Sequence, residues 1–195
     1  MNTTGTLAEK RSKTNIRTTV VATLISAIMA VALPQILHTF GIVTGLGTMP
    51  GETYLPMHLP VILCGFLAGP AAGLLSGAVS PAISAALTGM PAPAMLPFMT
   101  IELAAYGLTA GIIRSVLGTE KHMVLKVLTV QIAGRAVRAA AILSAFYVLG
   151  MNMIAPPVIW NSIIAGIPGL VIQLITIPAC VFAVNKAGKN AGEQK

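Results

Sequence analysis

The feature that most constrains the fold of this sequence is a long stretch without basic residues. Between Arg17 and Arg114 there is no lysine or arginine, and the only acidic residues are Glu52 and Glu102. Over the whole chain 9% of the residues are charged and 55% are hydrophobic, whereas roughly 25% of the residues of a soluble domain are charged. The sequence therefore predicts an integral membrane protein without a separate soluble domain.

Apolar runs separated by glycine and proline predict six membrane helices, since a span needs about 20 apolar residues. The runs lie near residues 16–38, 57–69, 71–89, 96–117, 122–149 and 158–185. The second run is short and ends at Gly69-Pro70, where proline disfavours a continuous helix and predicts a tight turn. The predicted fold class is an all-α, six-helix membrane bundle, in a single domain that covers residues 1–195.

The positions of the basic residues predict the orientation of this bundle. They precede the first helix, lie between the fourth and fifth helices, and follow the sixth; the last two groups are Arg114, Lys121 and Lys126, then Lys186, Lys189 and Lys195. The positive-inside rule places these segments in the cytoplasm, with residues 1–15 and 186–195 as tails. The first apolar run is longer than the ~7–15-residue core of a signal peptide, so we expect it to be retained. The net charge of +7 is then a topology signal and does not indicate nucleic-acid binding.

Common catalytic and nucleotide-binding motifs are absent from the sequence. It contains no GxxxxGK[ST], HExxH or GxSxG pattern. His38, His58 and His122 lie on different segments without ligand spacing, and Cys64 and Cys180 lie in apolar runs. We therefore expect no catalytic residue, no metal site and no cofactor.

Polar residues at helical spacing predict a substrate-binding site inside the bundle. A lipid-facing arginine costs roughly 2.5–3.5 kcal/mol on insertion scales, so polar helix faces are expected to turn inward. Residues spaced at i, i+4 and i+7 share one face of a helix. The candidates are Glu102 and Tyr106 on the fourth helix, Gln131, Arg135 and Arg138 on the fifth, and Trp160, Asn161 and Gln173 on the sixth, together with His58 at the start of the second.

Two arginines and one glutamate leave the charge of this set unbalanced. A pair between Glu102 and one arginine would neutralise one positive charge but not both. Arg135 lies deeper and follows Gly134, so we expect it to bind protein groups, whereas Arg138 is expected to contact an anionic or strongly polar ligand. Trp160 is either an interfacial anchor or a stacking surface, and the loop GTMPGETYLPMH is either a lid or an ordinary connection.

Rows of small residues predict close helix contacts. Ala22, Ser26 and Ala30 recur at every fourth position of the first helix, and residues 73, 77 and 81 form a similar row on the third. Each row either packs within the bundle or contacts a partner.

Three segments resemble a known family. They are MHLPVILCGFLAGPAAGLLSGAVSPAISAALTG (57–89), MLPFMTIELAAYGLTAGIIR (95–114) and WNSIIAGIPGLVIQLITIP (160–178). In order and spacing they are similar to S-components, the substrate-binding membrane subunits of energy-coupling factor (ECF) vitamin transporters. The resemblance implies six helices in a prokaryotic plasma membrane with both termini cytoplasmic. It also implies capture of a vitamin or precursor from outside, in a pocket built by the last three helices and two outer loops.

The resemblance further implies partners. S-components dock on a transmembrane coupling subunit, EcfT, through small residues, and the matching row here is Ala22, Ser26 and Ala30. Two cytoplasmic ATPase subunits would hydrolyse the ATP. Pantothenate, folate, pyridoxine and cobalamin remain open as substrates, and a carboxylate would suit the two arginines. The alternative is a solitary secondary carrier that uses Glu102 for proton coupling.

Overall fold

A computed structural model shows the architecture for residues 16–47, 49–119, 121–151 and 154–193, and all regular structure in these ranges is helical. The helices are α1 (Ile16–Val43), α2 (Met49–Tyr54), α3 (His58–Ala68), α4 (Pro70–Thr88), α5 (Leu96–Leu117), α6 (Met123–Tyr147) and α7 (Pro157–Glu193). Of these, α1, α4, α5, α6 and α7 are long and apolar enough to cross a membrane. The 11 residues of α3 extend only about 16 Å. The predicted all-α membrane bundle is confirmed.

A helical hairpin joins α3 to α4 at the junction where the sequence predicts a turn. Gly69 has a φ of 101° and a ψ of −179°, a conformation that favours glycine. Pro70 then begins α4, where its missing N–H costs no hydrogen bond. A Cβ atom on Gly73 would lie 2.8 Å from Cα of Gly65, so the two helices fold back on each other.

Glycine contacts hold α5 against this hairpin. A Cβ atom on Gly107 would collide with the backbone of Gly73, and one on Gly77 would collide with the carbonyl of Leu103. Pro81, the third member of the row on α4, is also buried. The row on α4 therefore packs within the chain, which decides between its two interpretations.

The predicted docking row on α1 also faces the interior of this chain. The Ser26 hydroxyl donates a hydrogen bond to the carbonyl of Pro60 (2.9 Å), and its Oγ lies 2.6 Å from Oγ of Ser76. Ala30 is fully buried, and Ala22 packs against α3 and α4. In the isolated chain the small side chains of this row therefore allow the chain's own helices to pack closely, and its role in docking stays a prediction.

Two helix boundaries differ from the predicted ones. The connection after the first helix was expected to lack regular structure, but α1 continues to Val43 and α2 forms within it. The intervening loop folds back on α1, because the N–H groups of Leu46 and Gly47 donate to the carbonyl of Gly41. At the other end of the chain, α7 runs into the predicted tail after residue 185. The predicted N-terminal tail, 1–15, lies outside the described residues.

One end of the bundle, called here the basic end, carries Arg114, Lys121, Lys126 and Lys186. Lys126 is buried, and its ammonium group donates to the carbonyls of Leu117 and Gly118 at the end of α5. A cation at a helix C-terminus satisfies free carbonyls and interacts favourably with the helix dipole.

Candidate substrate-binding site

A cavity of about 510 Å³ lies at the end of the bundle opposite the basic end. All seven helices and the connection after α4 contribute to its wall. Its volume falls within the range of ~300–1,000 Å³ typical of small-molecule sites. Met57, Met90, Met95 and Met99 line it, and their flexible thioether side chains adapt to an apolar ligand.

Glu102 is the buried centre of the polar part of this wall. Its side chain is 0% exposed. The hydroxyl of Tyr106 donates to Oε1 of this carboxylate at 3.3 Å. A guanidinium nitrogen of Arg138 donates to Oε2 at 3.1 Å. These donors fix the orientation of the carboxylate at the edge of the cavity.

Arg135 approaches the same carboxylate without completing a hydrogen bond. Its Nη1 lies 3.1 Å from Oε1 of Glu102, which makes an ion pair. Nevertheless Nε, Nη1 and Nη2 of Arg135 are all buried and have no hydrogen-bond partner among the described residues. Arg135 thus contacts a protein carboxylate, as expected, but keeps three buried donors without a partner in the described ranges. Arg138, expected to contact a ligand, lines the cavity and also donates to Glu102, and of its buried nitrogens only Nε lacks a partner among those residues.

His58 completes the cluster. It is buried, its Nε2 lies 3.8 Å from Oε1 of Glu102, and its ring meets the ring of Tyr106 edge-on with centroids 5.2 Å apart. Neither ring nitrogen has a hydrogen-bond partner within the described ranges. His58 is among the residues that line the cavity, with both ring nitrogens buried.

Two buried glutamines link α6, α7 and the turn between α2 and α3 by hydrogen bonds. Nε2 of Gln131 donates to the carbonyl of Leu170 (3.0 Å) and to Oε1 of Gln173 (3.3 Å). Nε2 of Gln173 donates in turn to the carbonyl of Leu55 (3.3 Å). Leu55 has a φ of 49°, an uncommon conformation for a residue with a side chain. The relay therefore holds the strained turn between α2 and α3 against α6 and α7.

The predicted substrate-binding residues other than Trp160 fall into two groups. Arg135, Arg138, Glu102, His58 and Asn161 line the cavity. Tyr106, Gln131 and Gln173 are buried behind the wall and contact the lining residues or their backbone.

Trp160 lies outside the cavity, contrary to its prediction as a substrate-binding residue. Its side chain is 69% exposed. On α7 the residues that face the cavity are 158, 161, 162 and 165, a spacing that defines one helical face. Trp160 lies off this face, which fits an interfacial anchor better than a stacking surface.

Further residues of the wall were not predicted. Besides the methionines, they include Pro34, His38, Glu52 and Ser84. The methionines clustered around the connections at this end were the available signal, since methionine is common in adaptable binding surfaces.

The segment predicted as a lid or a connection packs into the wall. A Cβ atom on Gly51 would lie 2.5 Å from the ring of His38 on α1. A Cβ atom on Gly169 of α7 would lie 2.7 Å from the carbonyl oxygens of Thr53 and Tyr54. Thus α2 lies between α1 and α7, in contact with both, and contributes Glu52 to the cavity.

Comparisons with known proteins agree with this architecture. Curated proteins and solved structures give no match. A family model described as ECF transporter, substrate-specific component, matches residues 17–184. The matched range contains every residue of the cavity wall. The chain is therefore a multi-pass membrane protein that belongs to the substrate-specific components of ECF transporters.

Proposed function

We propose that this chain captures a small organic anion, a vitamin or a related precursor, for an ATP-driven ECF importer. The observation that carries the proposal is the guanidinium of Arg135, whose three nitrogens are buried at the cavity wall without a hydrogen-bond partner among the described residues. Buried donors are nearly always satisfied in native structures. A ligand carboxylate would supply the missing acceptors and, in a fork-to-fork contact, a strong paired hydrogen bond.

The arrangement of charge supports uptake from outside. The cavity lies at the end away from the basic residues, and basic segments favour the cytoplasmic side. In this orientation both termini are cytoplasmic and the cavity opens to the exterior of a prokaryotic plasma membrane.

Family membership supports the partners. The chain would deliver its substrate by docking on the coupling subunit EcfT, and two cytoplasmic ATPase subunits would supply the energy. Because Ser26 and Ala30 are buried within the chain, the contact would include the neighbouring exposed side chains of α1, such as Leu24, Ile25 and Ile28.

Cavity size supports a ligand of moderate dimensions. A volume of about 510 Å³ suits pantothenate or another compact acid, and it is small for cobalamin. The carboxylates of pantothenate and folate would match Arg135.

Mass spectrometry of the molecule retained after purification in mild detergent tests the substrate class. We expect a small acid that is released on replacement of Arg135 by Gln. A retained neutral or cationic compound would contradict the proposal.

Co-purification tests the transport class. Tagged chain expressed with EcfT and both ATPases is expected to form a complex whose substrate uptake requires ATP. Uptake by the chain alone, insensitive to ATP depletion, would favour the secondary carrier. The two hydrogen-bond donors and the ion pair around Glu102 give that alternative less support, since a proton-coupling carboxyl must release its partners in each cycle.

A further inference from the structure

The buried charges at the end of the cavity can be counted. Arg135 and Arg138 each contribute one positive charge, and Glu102 contributes one negative charge. We count His58 as neutral, because a third buried cation beside two guanidinium groups would be costly. The sum is one positive charge. Glu52 also lines the cavity, but it is exposed, so solvent and salt screen its charge.

We infer that this site selects a monocarboxylate with an apolar body over a dianion, and that Glu102 sets the preference. The inference rests on the proposed function, since it concerns the same site, and it adds the number of charges that the substrate carries. One carboxylate would balance the single positive charge. A second carboxylate at the same end of the ligand would remain buried without a counterion, which is strongly unfavourable.

The contacts of Glu102 explain how it sets the preference. The carboxylate is fully buried and touches both guanidinium groups, each at 3.1 Å. It therefore occupies the place that a second ligand carboxylate would need. Arg138 donates a hydrogen bond to this carboxylate, whereas Arg135 donates none. Arg135 is therefore the group left for the ligand.

The remaining wall specifies the body of the ligand. Met99 of α5 and the methionines of the connections that precede α3 and α5, together with Pro34 and Val158, surround the space beside the arginines. These side chains offer apolar contact and almost no hydrogen bonds. A ligand with its single charge at one end and apolar atoms over the rest matches this division.

Three probes that share the same phenyl-bearing body test the effect of charge. They are 3-phenylpropanoate, a monoanion; benzylmalonate, which adds a second carboxylate beside the first; and 3-phenylpropanamide, which is neutral. Titration calorimetry of the full chain in nanodiscs at pH 8 keeps histidine neutral. For the native chain we expect 3-phenylpropanoate to bind at least about tenfold more tightly than either other probe.

Removal of the internal carboxylate is the decisive change. Glu102→Gln raises the buried charge to two, so the preference for 3-phenylpropanoate over benzylmalonate is expected to disappear or reverse. Lys121→Gln changes the net charge by one unit at the exposed basic end, away from the cavity, and should leave the ratio of the two affinities as in the native chain.

Double replacement keeps the test valid if Glu102→Gln does not fold. Arg138→Gln alone brings the buried charge to zero and should weaken 3-phenylpropanoate binding by about tenfold. Adding Glu102→Gln restores one positive charge, carried by Arg135, and should recover monoanion binding and its preference.

Several results would overturn the inference. They are no saturable binding of 3-phenylpropanoate to the native chain, equal binding of the two anions, an unchanged ratio in Glu102→Gln, or no recovery in the double variant. If these occur while the chain still assembles with EcfT and supports ATP-dependent uptake, only the charge selection fails. Failure of assembly would instead contradict the proposed function.

Discussion

At the scale of single residues, the two arginines of α6 differ in how the protein uses them. Arg138 donates to Glu102, while the three buried nitrogens of Arg135 have no hydrogen-bond acceptor in the described part of the chain. An unsatisfied buried donor costs about 1–3 kcal/mol, and more when it is charged. Ligand binding would recover this cost at Arg135, so the two residues should contribute unequally to affinity.

Replacement of each arginine by Gln measures this difference. We expect Arg135→Gln to weaken substrate binding by roughly 100-fold or more, because both a charge and the free donors are lost. Arg138→Gln should cost about tenfold, since its main contact is with the protein. Calorimetry with the co-purified substrate measures both, and the reverse order would return the ligand contact to Arg138.

A methyl group at Gly166 tests the position of Arg135 without removing it. A Cβ atom there would lie 3.0 Å from Nη2 of Arg135 and 2.9 Å from Cδ1 of Leu55. Gly166→Ala should therefore displace the guanidinium and lower substrate affinity by about three- to tenfold, an effect of 0.6–1.4 kcal/mol. The added loss should shrink in an Arg135→Gln background, as expected for coupled neighbours. Full additivity would mean that Gly166 acts elsewhere.

Residue spacing in the sequence predicted the polar cluster but not its bonding. The i, i+4 and i+7 faces of two helices brought Glu102, Tyr106, Arg135 and Arg138 together. Which arginine forms the hydrogen bond depends on small differences in the torsion angles of two long side chains. Residue spacing carries no information about these angles. Trp160 was misplaced for a related reason: one position along α7 rotates a side chain by about 100°, out of the cavity.

At the scale of elements, small residues determine which helices touch. Glycines on α4 and α5 bring their backbones into contact, and Ser26 links α1 to α3 and α4. The sequence indicated these rows and the turn at Gly69-Pro70. It could not assign a partner to each row, because a small-residue face accepts a helix of its own chain and one of another chain equally well.

Ser26→Leu tests the packing of α1 in the isolated protein. Ser26 is 5% exposed and its hydroxyl is bonded on both sides, so leucine would overfill the contact and remove its hydrogen bonds. We expect a loss of stability of about 1–3 kcal/mol, seen as a lower midpoint of thermal unfolding in detergent. Ser144→Leu makes the same change on the exposed side of α6 and should have little effect. Native stability with weakened binding to EcfT would instead restore the row to a docking role.

At the scale of the whole molecule, the two ends of the bundle differ in character. The cavity lies at one end, and the basic residues lie at the other, where Asn185 of α7 donates to Thr119 beyond α5. Charge distribution predicted the basic end, because it depends on composition and order rather than on side-chain geometry, whereas the family resemblance implied the position of the pocket. Helix α2 was not predicted, because its six residues are too few to show a recognisable hydrophobic periodicity.

Cysteine labelling tests the orientation in intact cells. In a chain with Cys64 and Cys180 replaced by Ala, a cysteine that replaces Tyr54 should react with a membrane-impermeant maleimide added outside the cells. A cysteine at Lys186 should react only after the cells are opened. Both positions are exposed, so accessibility of the side chain is not limiting. The opposite pattern would invert the bundle and contradict uptake from outside.

The unbalanced charge beside Glu102 also has an electrical consequence. Moving one charge through a membrane potential of 100 mV changes its free energy by about 2.3 kcal/mol. A site that holds one excess positive charge senses this field when it is empty and loses that sensitivity once a monoanion fills it. If the site moves through the membrane during transport, the voltage should act on the return of the empty subunit and leave the loaded step nearly unaffected.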